Sequence, residues 1–157
     1  MVASKLLEEA NFSSHEIYCQ SSLNLCSHPH PKIRYAALEL MEELIDTHPR
    51  EYEEMYLEAS VELLVNLISD PIVRVSGKAM TTLITLAKTL GPHWVIANCI
   101  HRILPTLFGL LQKGIPFIQQ MSMKTLSVLS AMKGVVGTNA GGLMEVCRHT
   151  IEQMKGK

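Results

Sequence analysis

Apolar residues recur at three- and four-residue steps along nearly the whole chain, the period of α-helices lying on a core, and sustained alternation at period two is absent. Turn-forming residues cut this pattern at Asn11–Ser14, Ser27–Pro31, Thr47–Arg50, Asp70–Pro71, Gly91–Pro92, Lys113–Pro116 and Gly134–Gly142. The spacing predicts helices over about 2–10, 15–26, 31–46, 51–69, 71–89, 93–112, 115–133 and 141–155. Pro31, Pro71 and Pro116 fall where a first-turn proline loses no hydrogen bond. Asp70 and Ser14 are the N-cap candidates. Pro105 lies inside a helical stretch, so the helix over 93–112 is expected to kink or break there.

The pattern also repeats. Ile33-Arg34 is followed by Ala37, Met41 and Leu44; Val73-Arg74 by Gly77, Thr81 and Ile84; Ile118-Gln119 by Ser122, Leu126 and Leu129. A proline precedes each pair by two residues. The small residue lets neighbouring helices approach, and the larger apolar residues fill the seam. A period near 40–45 built of two helices is the mark of HEAT or armadillo repeats. One pair cannot bury its own apolar face, so pairs stack. The fold expected is therefore all-α: a HEAT-repeat (armadillo-like) solenoid of antiparallel helix pairs, about three to four repeats. The repeats fall at about 15–47, 51–90 and 93–133, with partial repeats at 1–10 and 141–157. A bundle of short helices is the plainer alternative. Neither end reads as a polar cap, so the single 157-residue domain is expected to be a piece of a longer array.

Composition agrees with helices: 47% of residues are hydrophobic and only 5% aromatic, so leucine, isoleucine, valine, methionine and alanine carry the apolar content. The four cysteines, Cys19, Cys26, Cys99 and Cys147, form no CxxC pair and suit reduced core thiols of an intracellular protein. Neither a secretory leader nor a membrane span is evident. The formal net charge of −1 conceals a split. Residues 1–70 hold 13 acids against 4 bases, and residues 71–157 hold 2 acids against 10 bases. Such a split speaks to partners, not to fold. The basic residues are scattered and lack interleaved aromatics, which makes nucleic acid an improbable partner. No phosphate-binding loop, nucleophile elbow or zinc-protease motif is present, so binding is expected and catalysis is not; no cofactor is called for.

The stretch from His28 to Ile45, His-Pro-His-Pro followed by Ile33-Arg34-Tyr35-Ala36-Ala37, resembles the repeat turn and second helix of the importin-beta superfamily, the karyopherin-beta nuclear transport receptors. It is most similar to the importin beta-3 branch, as is Leu110–Gly114 with the helix after it. The resemblance spans roughly residues 15–155. Gly77 and Gln119 depart from it, standing where alanine and arginine are more usual, and the glycines of Gly134–Gly142 are a further departure. The resemblance implies a receptor of cytoplasm and nucleus that carries protein cargo on the concave face lined by second helices, under control of the GTPase Ran, and that meets nucleoporins.

On the helix over 31–46, Glu39, Glu42, Glu43 and Asp46 fall within an arc of about 100° at 100° per residue, opposite Ile33, Ala37, Leu40 and Leu44. On a concave face these carboxylates would match the basic segments that importins carry; a solvated surface is the other reading. Glu51, Glu54, Glu58 and Glu62 form a second acidic stripe, better read as solvated. Arg34 and Arg74 share a repeat position and suggest a structural ladder, each arginine bonding an aspartate or carbonyl of an adjacent turn, with Asp70 the partner for Arg34; a ligand contact is the alternative. Cys19, Cys26, His28 and His30 lie close in sequence, but packed thiols and a solvated turn account for them as well as a metal would.

Overall fold

The computed structural model describes residues 12–90 and 94–131, without the side chains of 12–14, 90 and 94–100. The described residues form helices and no strand: α1 (Phe12–Leu25), α2 (Pro31–Thr47), α3 (Pro49–Met55), α4 (Leu57–Ile68), α5 (Val73–Leu90), α6 (Trp94–Leu111) and α7 (Pro116–Ala131). The chain is thus all-α over this range. The helices expected over 2–10 and 141–155, and the loop Gly134–Gly142, lie outside the described residues.

α1 packs on α2, α4 on α5 and α6 on α7. Links of four or five residues join the members of each pair. Such a link reaches at most about 18 Å, too short both to run back along a first helix of 12 to 18 residues, about 18–27 Å long, and to cross to a neighbour about 9 Å away. The pairs are therefore antiparallel. Between pairs, α2 packs on α5 and α5 on α7, while α1 packs on α4 and α4 on α6. The result is two layers: α1, α4 and α6 in one, α2, α5 and α7 in the other. The sequence pattern maps onto this arrangement. Ala37, Gly77 and Ser122 are buried, as are Met41, Leu126, Leu44, Ile84 and Leu129. α5, central in its layer, is buried on most of its circumference, through Val75, Ala79, Met80, Leu83, Leu86 and Ala87.

Several boundaries depart from expectation. The helix expected over 51–69 is two, α3 and α4, broken at Tyr56 with φ −124° and ψ −6°. Tyr52 and Tyr56 are both buried here: Ser60 Oγ donates to the Tyr56 carbonyl at 2.7 Å and is also bonded to the Tyr52 hydroxyl. Ser14 lies inside α1, not at its start. Pro71 and Asp70 precede α5 by two and three residues; Asp70 Oδ1 accepts from the Ile72 N–H at 2.9 Å, capping the turn before the helix. α6 runs unbroken through Pro105. Its ring and His101 both face solvent, so water can serve the carbonyl that the missing N–H leaves free. Gly114, at φ +74°, supplies the left-handed turn into α7 that a side chain would strain.

Candidate functional site

α2 begins with Pro31 in its first turn, and His30 Nδ1 accepts from the Lys32 N–H at 3.2 Å. His28 Nδ1 accepts in turn from the His30 N–H at 3.0 Å, so both histidines are used by the turn. The buried side of α2 comprises Ala37, Leu38, Met41, Leu44 and Ile45. That orients the opposite side outward, and Glu39, Glu43 and Asp46 are exposed there with no ion-pair partner among the described residues. Three carboxylates on one open helix face form a local negative field suited to a basic segment.

Glu42 does not belong to that open row. Its Oε2 accepts from Lys78 Nζ at 2.9 Å and its Oε1 from Thr82 Oγ1 at 2.8 Å, both on α5. The sequence pattern grouped it with the others because it shares their arc; the period of the stack gives it inter-repeat partners instead.

Arg34 joins the first two pairs. Its Nε donates to Asp70 Oδ2 at 2.8 Å and Nη2 to Oδ1 at 3.0 Å, while Nη1 reaches the carbonyls of His28 and Pro29. Arg74 does otherwise. The residue equivalent to Asp70 in the following turn is Ile115, which offers no carboxylate, and the Arg74 guanidinium lies exposed over the Tyr35 ring, 5.2 Å from its centroid. A repeated Arg–Asp ladder therefore does not extend past its first rung. Gln119, the third member of the series, donates from Nε2 to the Leu111 carbonyl at 2.9 Å.

In the other layer the acidic stripe is divided by the break at Tyr56. Glu54 and Glu58 are exposed, while Glu62 accepts from Arg102 Nη1 at 2.6 and 2.8 Å, and that bond holds its carboxyl below the usual range. Cys19 and Cys26 are buried free thiols, each pushed up to about 11 by burial. Cys19 Sγ lies 3.5 Å from His15 Nε2, but a buried thiol held so high is a poor nucleophile. The described residues contain no group of three or more possible metal ligands, and none of their helices is long and apolar enough to cross a membrane.

One concavity was not foreseen in the sequence. A groove of about 400 Å³ runs between α2 and the start of α5, walled by Pro31, Tyr35, Ile72 and Val75. Lys32, Arg74 and Glu39 supply its charges. Lys78 Nζ lies 5.5 Å from the centroid of the same Tyr35 ring. The available signal was the repeat period: Tyr35 and Arg74 stand 39 residues apart, like the pairs Glu42–Thr82 and Glu62–Arg102 at 40. Comparison with models of known protein families gives no match for this chain, and comparison with curated proteins gives none either.

Proposed function

We propose that the chain is a HEAT-repeat segment of an importin-beta-like nuclear transport receptor, which binds basic protein cargo under the control of Ran and moves between cytoplasm and nucleus. The exposed row of Glu39, Glu43 and Asp46 on α2 carries the reading, because it lies on a second helix of the stack, the helix that lines the cargo face in the family this sequence resembles. The two-layer packing of helix pairs at a spacing near 40 residues supports the HEAT assignment. The mechanism is binding: a Lys- and Arg-rich segment docks on the carboxylates, and GTP-bound Ran releases it by changing the curvature of the solenoid. Nucleoporin contacts accompany transport.

The test is titration of a lysine-rich import-signal peptide, and of GTP-loaded Ran, into the longer protein at low salt. Both bind if the reading holds. Reversal of Glu39, Glu43 and Asp46 to lysine weakens the peptide about tenfold or more, in line with removal of several charge contacts. Absence of binding by both ligands, or an unchanged affinity after reversal, overturns it. A second reading, a non-transport HEAT scaffold for a protein complex, draws on the rest of the layer: beside the acids of α2, α5 and α7 present Lys88 and Lys124 and no acid, a mixed surface that suits a folded partner of mixed charge.

A further inference from the structure

The groove beside Tyr35 is chemically unlike the acidic row that adjoins it. Its walls are apolar and aromatic, and its charges are unequal, with Lys32 and Arg74 against Glu39 alone. Lys78 is close by, but its ammonium is held by Glu42. Arg74 is exposed and has no carboxylate partner among the described residues. A guanidinium lying over an aromatic face keeps its N–H edge free, and that edge is the part that pairs with a carboxylate in fork geometry. Two helices also begin at this groove, α2 at Pro31 and α5 at Val73, and both direct the positive ends of their dipoles toward it. Glu39 lies two turns along α2, about 12 Å from that end, so positive charge is concentrated at one end of the groove and negative charge at the other.

We propose that this groove binds an acidic peptide segment: an apolar side chain enters between Tyr35 and Ile72, and an adjacent carboxylate pairs with Arg74 and Lys32. The volume, about 400 Å³, admits one large side chain and its neighbour and is open enough for the backbone to continue on either side. The site shares Glu39 with the acidic row but extends away from Glu43 and Asp46, toward Lys32 and Arg74, and it selects the opposite charge.

The experiment is fluorescence anisotropy with the full chain and a fluorescein-labelled, end-blocked peptide of sequence Glu-Phe-Asp-Glu-Leu-Asp. Its controls are the same peptide with glutamine for each Glu and asparagine for each Asp, and with alanine for Phe and Leu. The acidic peptide binds, both controls bind about tenfold more weakly or worse, and the affinity falls as salt is raised. Arg74→Glu weakens the acidic peptide about tenfold or more, and Arg74→Lys less, because the fork is lost while the charge remains. Tyr35→Ala also weakens it; since that change removes packing, circular dichroism checks the fold, and the exposed Arg74→Glu variant stands independently of it. Glu39→Gln tightens binding about twofold by removing the one repelling charge. The proposal is overturned if no binding is seen up to about 1 mM protein, if the neutral amide peptide binds as well, or if Arg74→Glu leaves the affinity within about twofold.

Discussion

Phe117 occupies the space that a side chain at position 77 would need: a Cβ built on Gly77 would stand 2.5 Å from Phe117 Cε1 and 2.7 Å from Cζ. The two residues lie on successive second helices, α5 and α7. This contact explains why the small position of the middle repeat is glycine where the first repeat has Ala37. An exposed helical Gly→Ala change ordinarily stabilises by about 1 kcal/mol. Here the ring must swing aside, and because Phe117 is 46% exposed that costs little more than the propensity gain, so Gly77→Ala is expected to stay within about 0.5 kcal/mol of wild type. In a Phe117→Ala background the same change should stabilise by about 0.5–1 kcal/mol. Urea unfolding of the four proteins checks this, and a stabilisation that appears only when the ring is absent is the decisive result.

The clasp between Arg34 and Asp70 is nearly buried, with side-chain exposures of 12% and 6%. Asp70→Ala leaves the guanidinium in place with only carbonyl acceptors, and removes the Asp70 cap on the Ile72 N–H. A loss of about 2–4 kcal/mol is expected, since stranding one member of a buried pair is costly. Replacing both members by apolar residues of similar size should cost less than the single change. A double-mutant cycle in urea, with no coupling between the two sites, would contradict this account.

Burial and the neighbouring His48, whose ring centroid is 4.3 Å away, hold His15 below its ordinary value; Glu51 and Glu16 pull it the other way. A base with a lowered folded-state pKa binds fewer protons folded than unfolded. The stability it contributes is therefore full above the unfolded value, about 6.5, and is lost as pH falls through the folded value. The urea midpoint is expected to fall between about pH 7.5 and pH 5, and His15→Gln should make that fall shallower. A variant with the wild-type slope would assign the acid sensitivity to other groups.

Cys19 and Cys26, with thiols held near 11 by burial, should resist alkylation in the native protein. Iodoacetamide treatment followed by peptide mass mapping should label both only when denaturant is added. Rapid native labelling of either would show that α1 opens locally.

The apolar seam of each helix pair was legible because it rests on hydrophobic period, and period depends only on which residues are apolar. Ala37, Gly77 and Ser122 could be aligned by eye and are all buried. The break at Tyr56 was not legible: 51–69 has an unbroken helical period, and Tyr52, Tyr56 and Ser60, four apart, would share one face of a continuous helix equally well. The side chains that join repeats were legible in part. Asp70 stood out beside its turn, whereas Glu42 and Glu62 were read with their own helices, and their partners Lys78, Thr82 and Arg102 lie 36 to 40 residues away. Opposite charges separated by one repeat are the pattern that would have found them.

Glu42 and its neighbours give the sharpest separation of structural from binding roles, because four acids of one helix arc are divided between them. Lys78 and Thr82 hold Glu42 on α5, and the exposures of the Lys78 and Glu42 side chains are 16% and 19%, so this pair is shielded from solvent. Glu42→Lys places like charges against each other at a part-buried seam and is expected to cost about 1–3 kcal/mol of stability. Glu39→Lys, Glu43→Lys and Asp46→Lys alter exposed positions and should each stay within about 0.5 kcal/mol of wild type. Binding of a lysine-rich peptide should behave in the opposite way: it is weakened by reversal of the three exposed acids, and little affected by Glu42→Gln, which keeps one acceptor for Thr82. Thermal unfolding and peptide titration on the same four single variants and Glu42→Gln measure both properties. If Glu42→Gln weakens the peptide as much as Glu43→Lys, the carboxylate at 42 faces the ligand in solution and the division drawn from its two bonds to α5 is wrong.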